Sequence, residues 1–373
     1  MVSVLICGGG VGGLAAAIAL GQMGHAVSVF EQARQFGRVG ADVNLTPNAV
    51  HALDRLGVGE ALRANAARPT HRISRTWDTG AETSRLPMSG AAEERYGAPQ
   101  LTIHRADLLA ALEGAMPEGV LRFGSQVTEI GQDADGAWLK LADGTEHRGD
   151  VLIGADGIHS RVRTTLFGPD NPKFTGLVSW RGVFDREKGG DIPDLDAFTK
   201  WWGPGSDRQI VTFPLTHGKE IFVFATHEQE GWAEEGWTLP GDIAELRGHY
   251  ADFHPHARAL LDACDSVTRS ALHVREPMAA WSKGRITILG DAAHPMVPFM
   301  AQGACMAIED AVVLARALDS VDPAGVPAAL ERYQAARIPR TAEVQRSSLA
   351  NEWLKSQGNA DWVYGYQAWT TAV

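Results

Sequence analysis

Val2-Ser3-Val4-Leu5-Ile6-Cys7-Gly8-Gly9-Gly10-Val11-Gly12-Gly13-Leu14 opens the chain, and its reading decides the fold. Residues 2–7 are a short, β-branched-rich run without polar alternation, the pattern of a strand buried on both faces. Gly8, Gly10 and Gly13 then spell GxGxxG. In such a turn the first glycine makes the tight bend and the second lets the backbone approach a pyrophosphate. The third lets the following helix pack close to the strand, with its N-terminus toward the phosphate charge. An Ala-rich stretch over 14–24 reads as that helix, ending at Gly24, and residues 25–31 (HAVSVFE) read as the next strand. Strand, helix and strand in about 30 residues make a βαβ unit. Glu31, with Gln32 beside it, stands at about the 20-residue offset expected of a ribose-binding acid.

The same apolar opening could be taken for a signal or membrane segment. It lacks the basic leading region a signal needs, and Gly8, Gly9, Gly10, Gly12 and Gly13 interrupt it. No other stretch approaches the ~20 apolar residues that span a bilayer. A soluble protein is expected.

Downstream, residues 47–64 read as a helix broken by a glycine, and residues 71–85 alternate like the strands of a hairpin. A helix over 105–116 is followed by strands near 126–130, 137–141 and 151–153, whose DG turns suit an antiparallel meander. Residues 174–225 are rich in Trp, Phe, Val and Thr with frequent turn signals, which predicts a mostly antiparallel sheet. RITIL (285–289) reads as a further buried strand, and residues 306–318 and 328–355 read as helices. The fold class expected is α/β, α+β overall. A Rossmann-type domain (1–70, 101–170 and 276–318) interleaves with an antiparallel substrate domain (71–100 and 171–275), and a helical segment (319–373) closes the chain.

A GxGxxG turn alone does not choose between NAD and FAD. Two further segments bear on that choice: Gly154-Ala155-Asp156-Gly157 after a strand, and Gly290-Asp291-Ala292-Ala293-His294-Pro295 after another, the latter running into Gln302-Gly303-Ala304. An Asp at a strand end can take a ribityl hydroxyl, and a helix opening on glycine can present backbone N–H groups to the electron-rich end of a flavin. Asp156 is equally suited to holding its own turn together, His294 to ordering the Gly290-Asp291 turn, and His217 to a turn. Arg181 is a candidate for a substrate carboxylate, with a solvent-facing sheet arginine as the plainer alternative. Trp201 and Trp202 are candidate pocket walls among eleven tryptophans that otherwise suit a core.

The 373 residues are 45% hydrophobic and 21% charged, globular values with material for a large core. The formal charge of -11 argues against a nucleic-acid partner, which needs clustered Lys and Arg. Cys7, Cys264 and Cys305 are scattered, so neither disulfides nor a metal site is expected, and a reducing cytoplasm fits.

These motifs, together with Arg105 in Thr102-Ile103-His104-Arg105-Ala106-Asp107-Leu108, resemble the class A flavoprotein aromatic hydroxylases of the para-hydroxybenzoate and salicylate hydroxylase superfamily. The resemblance covers the whole chain. It implies non-covalent FAD held by Gly8, Gly10, Gly12, Gly13, Glu31, Gln32, Arg105, Val127, Asp156, Asp291, Pro298, Gly303 and Ala304. It also implies NADH or NADPH bound only in passing, which agrees with the lack of a second GxGxxG, and O2 as co-substrate. The activity implied is hydroxylation of a small aromatic or N-heteroaromatic acid through a flavin C4a-hydroperoxide, with loss of CO2 where the attacked carbon carries a carboxylate. A monomer or homodimer is expected.

Within the family, members acting on a hydroxypyridine carboxylic acid are the most similar, locally at 95–97, 200–202, 300–311 and 362–366 and around Gly40–Asn44. Where they carry a histidine implicated as catalytic base, this chain has Asn44. A tyrosine of their pocket falls near Phe213, and histidines near Phe299 and Gln209. The resemblance therefore implies a pocket of Asn44, Trp201, Gln209, Phe213, Pro298 and Phe299, less polar than theirs, with Asn44 and Arg181 as catalytic candidates. Two alternatives stay open. A flavin dehydrogenase or oxidase would incorporate no oxygen. A flavin-binding redox sensor would not be reduced by NADH.

Overall fold

Five parallel strands, Ile286–Ile288, Val151–Gly154, Ser3–Cys7, Ala26–Phe30 and Leu121–Arg122 in that spatial order, form the centre of the molecule. A short antiparallel strand, Ser282–Lys283, extends one edge. The computed structural model describes residues 1–37, 42–88, 90–232, 236, 239–355 and 360–373. Gly40 and Ala41, within a run that resembles the family's pocket, lie outside the described residues.

The Val11–Gln22 helix is buried on nearly every side, so it carries glycine and alanine in place of an amphipathic stripe. A Cβ on Gly12 would lie 2.6 Å from Leu289 Cδ1 and 3.1 Å from Ala307 Cβ, so that glycine lets the helix press on the Gly303–Leu318 helix. The later helix is bound in turn to the 25-residue Val326–Ala350 helix by a buried charge cluster. Arg337 donates to Glu309 and Asp310, and Arg340 donates to Glu309.

The second large element is an eight-stranded sheet whose strands pair antiparallel except where Phe198–Trp202 runs parallel to His71–Thr76. Its central strands are Lys173–Asp185, Glu220–Glu228, Gln209–Leu215 and Phe198–Trp202. One face packs on Ile243–His249 and Pro255–Asp262 helices through Trp180, Trp201, Tyr250 and Leu260. The other carries Phe198, Phe213, Phe222 and Phe224 toward Val297 and Phe299.

One sequence expectation is corrected here. Val151–Gly154 is not a strand of the meander. It is completely buried beside Ser3–Cys7 in the parallel sheet, and Glu146–Gly149 supplies the meander's third strand after Val127–Gln132 and Ala137–Leu141. Among the described residues, no helix is long and apolar enough to cross a membrane.

Candidate active site

Because Ser3–Cys7, Val151–Gly154 and Ile286–Ile288 are parallel neighbours, the turns that follow them emerge on one edge of the sheet. This is the edge where open α/β sheets bind ligands. Gly8 has φ +104°, and a Cβ there would meet Ala155 O at 2.4 Å. A Cβ on Gly13 would meet Gly8 O at 2.1 Å, so that residue sets how closely helix and strand approach. A Cβ on Gly10 would have no protein atom within 4 Å: this face of the turn is open, as a cradle for a pyrophosphate must be. Glu31 lies beside it, accepting from Gly9 N at 2.7 Å and Ala33 N at 2.8 Å.

Asp156 has a different task. Its carboxylate accepts from Ser160 Oγ and from the backbone N–H groups of Arg161 and Val162, capping the helix at Arg161–Phe167. Burial raises its carboxyl above the usual range, and those bonds work against the shift. The structure therefore places Asp156 in its own turn. Gln32 is exposed just beyond the Ala26–Phe30 strand, and Val127 is half-buried on its strand opposite Leu141.

Asp291 opens onto a cavity of about 240 Å³ that also meets Gly303, Ala304 and Pro298. Asp291 is solvent-exposed through that opening; desolvation by the surrounding protein pushes its carboxyl up, while His294 and the exposed Arg105 pull it down. Behind it, His294 Nε2 and Asp310 are 2.5 Å apart, and Asp310 also accepts from Gly290 N, which fixes the turn. The open glycine turn, the strand-end acid and the helix start on one edge fit FAD.

The cavity floor is one face of the eight-stranded sheet. Cross-strand pairing sets Arg181 opposite Phe224, Phe224 opposite Val211, and Val211 opposite Lys200, with all four lining the cavity. A second row carries Phe222, Phe213 and Phe198, the last two stacked at 5.4 Å. Asn44 closes the cavity from the Asp42–Leu45 strand, with Phe299 opposite the floor. Gln100 Nε2 donates to Asn44 Oδ1 at 2.7 Å. Asn44 Nδ2, Gln209 Nε2 and Arg72 Nη1 are buried donors without a partner among the described residues.

Asn44, Arg181, Gln209, Phe213, Pro298 and Phe299 thus meet in one cavity. Trp201 does not. Side chains alternate along a strand, so Trp201 lies in the core on the far face, stacked on His254, while its neighbour Lys200 faces the cavity. Asp42, Arg72 and Lys200 line the cavity too and were missed from sequence. The period-2 pattern of the strands would have found Lys200 once Phe198 was placed. Asp42 is half-buried where it meets the cavity, and desolvation there lifts its carboxyl to about 7, with the Arg181 charge working against it.

Two other features carry less. A larger open groove of about 650 Å³ is bordered by Arg63 and Arg68, but these are already paired with Asp54 and Glu93. His227, Glu245 and His249 gather within 4.8 Å. Trp180 Nε1 donates to His227 Nδ1 at 2.9 Å, which leaves the ring proton on Nε2, where a metal would have to bind.

The family described as FAD binding domain matches residues 1–348. The chain belongs to this family of FAD-dependent aromatic hydroxylases. It is 38% identical over 369 residues to 6-hydroxynicotinate 3-monooxygenase of Bordetella bronchiseptica, covering 98% of this chain and 95% of the relative. It is 39% identical to 3-hydroxybenzoate 6-hydroxylase of Polaromonas naphthalenivorans, covering 92% of this chain and 86% of that one. A solved salicylate hydroxylase substrate complex superposes with a TM-score of 0.86 at 28% identity, covering 98% of this chain and 96% of that one. The hydroxylase is accordingly an oxidoreductase and a flavoprotein, and its mixed helix-and-sheet architecture is the one these neighbours share.

Proposed function

We propose that this hydroxylase uses NADH or NADPH and O2 to hydroxylate a small hydroxylated aromatic or N-heteroaromatic carboxylic acid. The observation that carries the reading is the cavity. It is about 240 Å³, the scale of one substituted ring, it is walled by Phe198, Phe213, Phe222, Phe224 and Phe299, and it meets the flavin-motif residues Asp291, Gly303 and Ala304. Relatives named for hydroxynicotinate and hydroxybenzoate support the substrate class.

Bound FAD would supply the redox chemistry that activates O2 with electrons from the nicotinamide; the rest falls to the protein. Gly8–Gly13 and Glu31 would hold its adenosine diphosphate half, and Asp291 and the Gly303–Ala304 turn its flavin half. The phenylalanine walls exclude water and fix the ring's plane. Asn44 is oriented by Gln100, so the free end of its amide is a donor. It serves the ring oxygen as that oxygen gains negative charge. An amide cannot take the proton. Asp42, with a carboxyl titrating near 7, is the proton acceptor in this reading, and Arg181 stabilises its ionised form.

Mass spectrometry of products from the FAD-loaded enzyme with NADH, air and 6-hydroxynicotinate, 3-hydroxybenzoate or salicylate tests the reading. One added oxygen, with or without loss of CO2, is the expected result. Peroxide as the sole product across the panel would refute the substrate class.

A further inference from the structure

Lys200 is fully buried, and no carboxylate faces it among the described residues. On its own strand its Nζ lies 3.6 Å from the centre of the Trp202 ring. From the Pro298–Met300 turn, the Phe299 ring stands at 5.7 Å. From the end of the Val326–Ala350 helix, Asn351 Oδ1 accepts its proton at 2.7 Å. The charges that act on it, Arg72 from the adjacent strand and Lys355, are both positive. The cavity's acids look elsewhere: Asp42 toward Arg181, and Asp291 toward His294 and Arg105.

Arg72 is equally buried, with its guanidinium 4.7 Å from the centre of the Phe198 ring and Nη1 unpartnered. Gln209 completes the group. Its Oε1 accepts from Asn351 Nδ2 at 3.3 Å, which leaves Nε2 as a buried donor without a partner. This end of the cavity therefore holds two basic groups with no carboxylate beside them among the described residues, and two buried N–H donors, on Arg72 and Gln209, without an acceptor. Buried donors and cations of that kind are retained where a ligand supplies the missing acceptor. Arg181 is three strands away across the sheet, roughly 14 Å at ordinary strand spacing. Its Nη1 donates to Ser270 Oγ at 2.8 Å, and its charge faces Asp42.

We infer that Arg72, Lys200 and Gln209 form the recognition site for the substrate's carboxylate. Burial and the two neighbouring cations hold the Lys200 amine well below its usual range in the free enzyme. An arriving carboxylate replaces repulsion with attraction and so favours the charged ammonium. This inference rests on the aromatic-acid reading, adding to it the residues that select the acid.

The test titrates the FAD-loaded enzyme, without nicotinamide, with salicylate, 3-hydroxybenzoate and 6-hydroxynicotinate, each beside its own carboxamide. Flavin absorbance reports binding, and calorimetry in two buffers of different ionisation enthalpy counts protons. The acid the enzyme prefers is expected to bind roughly tenfold or more tightly than its amide. Net proton uptake on binding the acid is expected below the ordinary lysine range. Lys200→Met is expected to abolish the uptake and to weaken the acid but not the amide. Gln209→Glu keeps the oxygen that accepts from Asn351 and supplies an internal anion, so it is expected to erase the preference for the acid. Equal affinity for acid and amide, no binding of any ring, or proton uptake that survives Lys200→Met would overturn the inference. Tight acid binding without any hydroxylation would instead sink the monooxygenase reading and leave the carboxylate site standing.

Discussion

Arg337 Nε donates to Asp310 Oδ1 at 2.7 Å with both side chains completely buried, and the same guanidinium donates through Nη1 to Glu309 at 2.7 Å. This contact ties the long C-terminal helix to the helix that starts at Gly303. Through Asp310 and His294 it reaches the turn that carries Asp291. Removing one member of such a cluster leaves the others charged and unpaired away from water. Arg337→Met is therefore expected to cost about 3–5 kcal/mol. A chemical denaturation midpoint measured beside wild type checks this, and an unchanged midpoint would contradict it.

The same cluster makes stability depend on acid. Burial works to raise the Asp310 carboxyl, but the charges of His294 and Arg337 overcome it and hold the group down to about 2. In the unfolded chain an aspartate titrates near 3.9. A carboxyl whose folded value is depressed contributes stability above the unfolded value and loses it as pH falls toward the folded one. The melting temperature should therefore fall between about pH 4 and pH 2, and Asp310→Asn should flatten that fall. Equal acid sensitivity in the two proteins would count against this assignment.

Gly10 and Gly13 belong to one motif but should fail differently. A methyl group on Gly13 would sit 2.1 Å from a backbone oxygen, so Gly13→Ala must push helix from strand. It should destabilise even the flavin-free protein. A methyl group on Gly10 meets nothing in the protein. Gly10→Ala should therefore melt like wild type without cofactor and bind FAD at least about tenfold more weakly, because the methyl intrudes on the pyrophosphate. Thermal melts and flavin-fluorescence titrations separate the two, and Gly10→Ala binding FAD normally would move the phosphate elsewhere.

Asp42 should set the pH profile of turnover. Burial lifts its carboxyl to about 7, and a base works only when ionised. The ratio kcat/KM, which reports the free enzyme, should rise with pH to a plateau above about 7. Asp42→Asn should lower kcat by roughly 100-fold or more, the usual range for a lost general base, and remove that inflection. A variant that keeps both rate and inflection would acquit Asp42.

Much of this was legible in the sequence because glycine turns carry local geometric information. Gly8, Gly10 and Gly13 announce a bend, an open face and a close packing contact, and the structure supplies each. The helix starting at Gly303 and the strand before Asp291 were legible for the same reason. What was not legible depends on long-range pairing. Val151–Gly154 follows directly on a hairpin strand, and only its pairing with Ser3–Cys7 moves it into the other sheet. Trp201 has the aromatic character of a pocket wall, but strand parity sends it to the far face and gives Lys200 the cavity. Asp156 resembles a ligand-binding acid until its oxygens are seen to cap the adjacent helix. Arg72 and Lys200 come from strands that are more than 120 residues apart in the chain, so their meeting is a property of the sheet alone.

Insertion of one atom of molecular oxygen into a ring acid can be read out by isotope labelling. The FAD-loaded enzyme is given NADH and the preferred acid under ¹⁸O₂, and the product is weighed by mass spectrometry. One ¹⁸O in each product molecule and one NADH consumed for each are expected. Product oxygen that comes from water, or NADH consumption with no labelled product, would contradict that insertion.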